Sequence, residues 1–162
     1  MKRFWNYIFY FTWKFHNVIG YYFVEKPLDY LFGLSNFWDK HNKRGKKDAR
    51  NIIENPYSGF NIGFAFYCML VSTEIICVCI ISVFVVFFDL DIKNRVSAIT
   101  VLIIIFLPAY LFNEFLLGWH KKTYLTYFKE LERISNKRLG YLITLCFHLG
   151  VILLGILIFI WM

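Results

Sequence analysis

The stretch "MLVSTEIICVCI", Met69 to Ile80, sets a carboxylate, Glu74, inside a run of apolar side chains. A second ionisable group, His148, stands in another such run, and Asn113 with Glu114 close a third. Held away from water, these groups can hydrogen-bond helices together or carry a proton or cation along a polar line. Helical steps of three, four and seven place Gly59, Gly63, Tyr67, Glu74 and Cys77 near one line, and Gly140, Thr144, His148 and Gly155 near another. The small residues on both lines suit close helix packing. Glu74 and His148 stand at similar depth along their runs and are candidate partners. Together with Tyr67, Asn113 and Glu114 they form a candidate intramembrane polar or ion path.

The elements that must carry these residues are long and apolar. The chain has 162 residues, 59% hydrophobic and 22% aromatic, with a mean hydropathy of +0.52. Soluble domains interleave far more charge. Runs at about 62–88, 96–117 and 139–161 are each long enough to cross roughly 30 Å of hydrocarbon as a helix. Backbone groups in lipid must pair internally, and these runs lack the alternation of barrel strands, so the fold class is an all-α membrane bundle. The 16 Ile, Leu, Val and Phe between positions 62 and 88 contribute about −0.3 to −0.6 kcal/mol each, which outweighs the roughly 3 kcal/mol cost of one central carboxylate. Insertion therefore tolerates Glu74, but its side chain is expected to face protein or water.

Charge orients the bundle. Ten Lys and Arg precede position 60 and six lie between 118 and 138, whereas the loop 89–95 holds only Lys93 and Arg95. The positive-inside rule puts 1–60 and 118–138 on the cytoplasmic side of the inner membrane, with 89–95 and the C-terminus opposite.

In the first 60 residues, Phe4, Ile8, Phe11, Phe15, Val18 and Tyr22 recur at spacings of three and four, with Lys2, Asn6, His16, Asn17 and Gly20 across from them. This pattern, edged by Trp5 and Trp13, reads as an amphipathic helix lying in the headgroup region. The alternative is a fourth transmembrane helix, which would carry Lys14 near its centre at a cost of about 2.5–3.5 kcal/mol. No small-residue cleavage site follows, so the segment reads as retained rather than as a signal peptide. The basic run containing Lys43, Arg44, Lys46, Lys47 and Arg50 is a candidate surface for anionic lipid headgroups or a cytoplasmic protein; no folded basic module points to nucleic acid. Tyr124, Leu125, Phe128 and Leu131 share a face and are expected to extend the second long helix into the cytoplasm.

No H-E-x-x-H, G-x-S-x-G or P-loop pattern occurs, and Cys77 and Cys79, two apart, point to different sides of a helix. The expectation is a non-enzyme without metal or cofactor. One protomer has too few helices to enclose a wide conduit, which predicts a homo-oligomer. Two functions fit: a pore or ion-permeation subunit gated from the cytoplasmic side, or a membrane scaffold that recruits a cytoplasmic protein. The Phe, Ile, Lys, Asn and Tyr usage is also that of AT-rich coding DNA, which is frequent in mobile islands and suggests a defence or toxin setting for the scaffold.

Overall fold

A computed structural model describes residues 1–27, 30, 48, 50–88, 98–134 and 136–161, and every regular element among them is helical. We number the helices α1 (Lys2–Gly20), α2 (Phe60–Phe87), α3 (Ala98–Leu117), α4 (Tyr124–Leu131) and α5 (Lys137–Trp161), with a π-helical turn, Tyr21–Glu25, continuing from α1. Of these, α2 and α5 are long and apolar enough to cross a membrane, while α3 carries a shorter apolar stretch, Ile103–Leu117. Most of the large apolar side chains in the outer halves of α2 and α5 are exposed, among them Phe84, Phe87, Leu153, Leu157 and Phe159. The basic residues Lys43, Arg44, Lys46 and Lys47 and the loop 89–95 lie outside the described residues.

The largest departure from expectation is α1. It is not a one-sided surface helix: Trp5, Asn6 and Ile8 through Trp13 are buried around most of its circumference. The cause is that four helices surround it, α2, α3, α4 and α5 all packing against α1. Of the expected apolar stripe, Ile8 and Phe11 are in the core, but Phe4, Phe15, Val18 and Tyr22 are exposed. Asn6, read as lying on the polar side, is fully buried and donates to the carbonyl of Leu116, one of the last carbonyls of α3 and otherwise an orphan of the helix end. Pairs fix the direction of packing: Asn17 meets Asn61 and His16 meets Cys68, while residue 5 reaches the level of Thr73 through Asn113. α1 thus runs antiparallel to the first half of α2.

A second departure follows α3. The helix does not continue through Tyr124 but stops at Leu117, because Gly118 takes φ +60°, and a Cβ there would collide with the Thr123 hydroxyl. Gly118 N–H donates to Glu114 O, and the Thr123 hydroxyl donates to Leu117 O, which satisfies the helix end. The chain then turns back, and α4 folds against α1. Its aromatic face closes a dense cluster: Phe128 stacks on Trp13 at 5.1 Å, Tyr124 meets Phe9 at 5.3 Å, and Trp119 stacks on Phe66 at 4.4 Å. The Tyr124 hydroxyl donates to Pro56 O, and burial, with Tyr57 nearby, pushes its pKa up to about 12, so the donor proton is retained.

The glycines expected in packing divide. A Cβ at Gly140 would run into the Phe11 ring, and one at Gly155 would come within 3.0 Å of Ile75, so both sit at helix contacts. Gly59 instead starts α2 against the backbone of Asn55, and Gly63 faces open space within the protomer. We expect Gly140→Ala to lower stability by about 1–3 kcal/mol through overpacking, whereas Gly63→Ala, with open space at its Cβ in the helix interior, holds or raises the stability of the isolated protomer, by up to about 1 kcal/mol. Equal midpoints for the two variants in detergent unfolding would contradict this packing.

Candidate functional site

A cleft of about 470 Å³ lies among α1, α2 and α5, with walls that are overwhelmingly apolar. Its floor is built around His148. Nε2 lies 2.9 Å from the Thr12 hydroxyl oxygen and Nδ1 2.9 Å from that of Ser72. The Thr12 hydroxyl already donates to Ile8 O at 2.8 Å, so its oxygen accepts from His148 Nε2–H. A neutral ring then leaves Nδ1 as the acceptor for the Ser72 hydroxyl. The imidazole is therefore used at both nitrogens to tie α5 to α1 and α2. Near the mouth, His16 Nε2 lies 3.5 Å from Cys68 Sγ. Thr144 is buried in the wall of the cleft, and its hydroxyl has no hydrogen-bond partner among the described residues.

A second polar centre is Asn113, fully buried on α3. Its Oδ1 accepts from Trp5 Nε1 at 2.9 Å, and its Nδ2 donates to the Thr73 hydroxyl and to Ala109 O, each at 2.9 Å. Thr73 donates in turn to Met69 O. One carboxamide thereby joins α1, α2 and α3 with both of its amide hydrogens and its oxygen engaged. Glu114, the next residue, points elsewhere: it accepts from the backbone N–H of His120 and lies 2.9 Å from His120 Nδ1, at the turn beyond α3.

Glu74 belongs to neither centre. It makes no hydrogen bond or ion pair among the described residues, and the partners of His148 are Thr12 and Ser72, not Glu74. The reason is register. Ser72 and Thr73 turn inward on α2, while Glu74, half-buried, falls on the outward side with Tyr67, Val71 and Val78, which are 65%, 51% and 40% exposed. Arg50 lies over the Tyr21 ring and beside Glu54 at 4.0 Å. Among the described residues, no three His, Cys, Asp or Glu side chains are grouped to hold a metal ion.

Sequence reasoning missed the bonding roles of Trp5, Thr12, Ser72 and Thr73. A signal existed for the last two, since hydroxyls beside a carboxylate in an apolar run must bond somewhere. Which of the three consecutive side chains Ser72, Thr73 and Glu74 turns inward is fixed only by the rotation of α2 against α3 and α5.

Two outcomes test this geometry. Replacing Asn113 by Leu leaves the Trp5 indole N–H without its acceptor, and should cost about 1–3 kcal/mol in reversible unfolding; a variant as stable as the parent would remove Asn113 from its central role. Burial pulls the pKa of His16 below its ordinary value. The unfolded chain then binds the proton at higher pH than the folded one, so stability falls as pH drops beneath about 6.5. His16→Gln should lessen that fall in unfolding midpoints measured from about pH 7.5 to about pH 5, and an unchanged pH slope would contradict it.

No protein-family model matches this chain, and no curated protein or solved structure matches it.

Proposed function

We propose that this chain is a three-span protein of the inner membrane, with α2, α3 and α5 as spans, and that it serves as a scaffold presenting its aromatic and basic cytoplasmic layer to a soluble protein. The observation that carries the reading is the use made of the intramembrane polar groups. Asn113, Thr73, His148, Ser72 and Thr12 are engaged in bonds between helices, which is what assembly requires and what a conducting line of unsatisfied groups would not look like. Support for the cytoplasmic layer comes from the α1–α4 aromatic cluster and from sixteen of the eighteen Lys and Arg falling in 1–60 and 118–138.

Glu74 favours a second reading, an ion-permeation subunit. A half-buried carboxylate on an outward apolar face has no partner among the described residues of its own protomer, and a homo-oligomer packed along Gly63, Tyr67 and Glu74 would supply one or line a shared axis with carboxylates.

Cysteine labelling tests the topology on a background without the native cysteines. Lys93→Cys should react with a membrane-impermeant maleimide from outside, and Lys129→Cys only after permeabilisation; the reverse pattern would overturn the orientation. Charge reversal at Lys43, Arg44, Lys46 and Lys47 should abolish recovery of a cytoplasmic partner that Glu74→Gln still recovers. Proteoliposomes that pass cations in a manner altered by Glu74→Gln would instead select the permeation reading.

A further inference from the structure

The cleft among α1, α2 and α5 is ordered along its length in a way that matches one class of molecule. Its lining runs from Phe64 to Ile75 on α2 and from Tyr141 to Ile152 on α5, eleven residue steps on each. At 1.5 Å per step this is about 16 Å, one leaflet's share of a roughly 30 Å hydrocarbon core. The mouth is flanked by exposed apolar side chains, Val71, Leu145 and Ile152 among them, so the opening faces sideways from the bundle.

The two ends differ in chemistry. Toward the middle of the helices Val71, Ile75, Leu145 and Ile152 form aliphatic walls around the His148–Ser72 pair, whose polar atoms are already bonded to one another and to Thr12. Nearer the start of α5 stands Thr144, its buried hydroxyl unpartnered among the described residues and therefore in need of an acceptor. Earlier still, Lys137 and Arg138 are exposed in the first turn of α5, four and three residues before the lining residue Tyr141 and so on its side of the helix. No acidic residue accompanies them in that turn. Two cations at the positive end of a 25-residue helix are mutually unfavourable unless an anion joins them.

We propose that the cleft holds one acyl chain of an anionic glycerophospholipid, with the phosphate at Lys137 and Arg138, an ester carbonyl accepting from Thr144, and the tail between α2 and α5. Cation, hydroxyl donor and aliphatic slot follow one another along α5 in the order in which phosphate, ester and chain follow one another in the lipid. The proposal rests on the reading of α2 and α5 as membrane spans.

The test uses the full chain in nanodiscs of equimolar phosphatidylglycerol and phosphatidylcholine, released into native mass spectrometry. One phosphatidylglycerol per protomer should survive release. Leu145→Trp, at a half-exposed position on the mouth, should lower the retained lipid about fivefold or more, the equivalent of about 1 kcal/mol. The surface variant K137Q/R138Q should still retain a lipid but lose the preference for phosphatidylglycerol, and Thr144→Val should remove any preference for ester-linked over ether-linked phospholipid. Equal retention of the two headgroups by the parent, or undiminished retention by Leu145→Trp, overturns the proposal. Alkaline carbonate separates the two levels: a chain released from membranes overturns the spanning reading itself, whereas an embedded chain that keeps no lipid overturns only the lipid site.

Discussion

A polar group placed in an apolar helix must find its partner within the protein, and Asn113 shows how much architecture that requirement generates. Its carboxamide makes three hydrogen bonds, and each goes to a different place: the indole of α1, a hydroxyl of α2, and the preceding turn of its own helix. Asn113 is fully buried, so the alternative to these bonds is a desolvated donor or acceptor. The three helices are thus held in one register by a residue whose own side chain occupies very little of the core.

α1 is positioned by the same requirement. Trp5 and Asn6 at one end and Asn17 at the other are engaged with α3 and α2, and Thr12 in between meets His148 of α5. Between these polar anchors the surface of α1 is aromatic, and Phe9, Tyr10 and Trp13 supply large contact areas to Trp119, Tyr124 and Phe128. The polar contacts specify where the helix sits, and the rings supply most of the burial. The turn at Gly118 is the counterpart of this arrangement, since a straight continuation of α3 would carry Tyr124 and Phe128 away from α1.

The remaining polar groups separate by the face on which they fall. His148 is turned inward and saturated, Thr144 is turned inward and unsatisfied among the described residues, and Glu74 is turned outward. These three situations differ in what they leave open. A saturated group holds structure, the Thr144 hydroxyl keeps a free hydrogen-bonding capacity among the described residues, as do Asn6 Oδ1 and Trp13 Nε1, and an outward carboxylate is left for whatever surrounds the bundle. The lipid cleft and the permeation reading of Glu74 meet on α2 at Tyr67 and Val71, which line the cleft and also stand beside Glu74 on the outward side.

Much of the helical framework was legible from residue order. Apolar runs of more than twenty residues admit only helices as single elements, so the positions of α2, α3 and α5 follow from hydropathy and length. Periodicity likewise located α1 and the apolar face of α4, and of the glycines on the small-residue lines Gly140 and Gly155 lie close to Phe11 and Ile75 whereas Gly63 does not approach a neighbouring helix. What hydropathy could not decide was which side of each helix faces which neighbour. A step of one residue turns a side chain by about 100°, enough to send Thr73 to Asn113 and leave Glu74 outside. The pairing of His148 with Thr12 joins residues 136 positions apart. Such contacts depend on the rotation and tilt of helices against one another, quantities that a local pattern does not encode. Composition and periodicity therefore dictate apolar helices whose polar groups need partners, whereas the identity of each partner is set by packing, across separations in the chain that no periodicity spans.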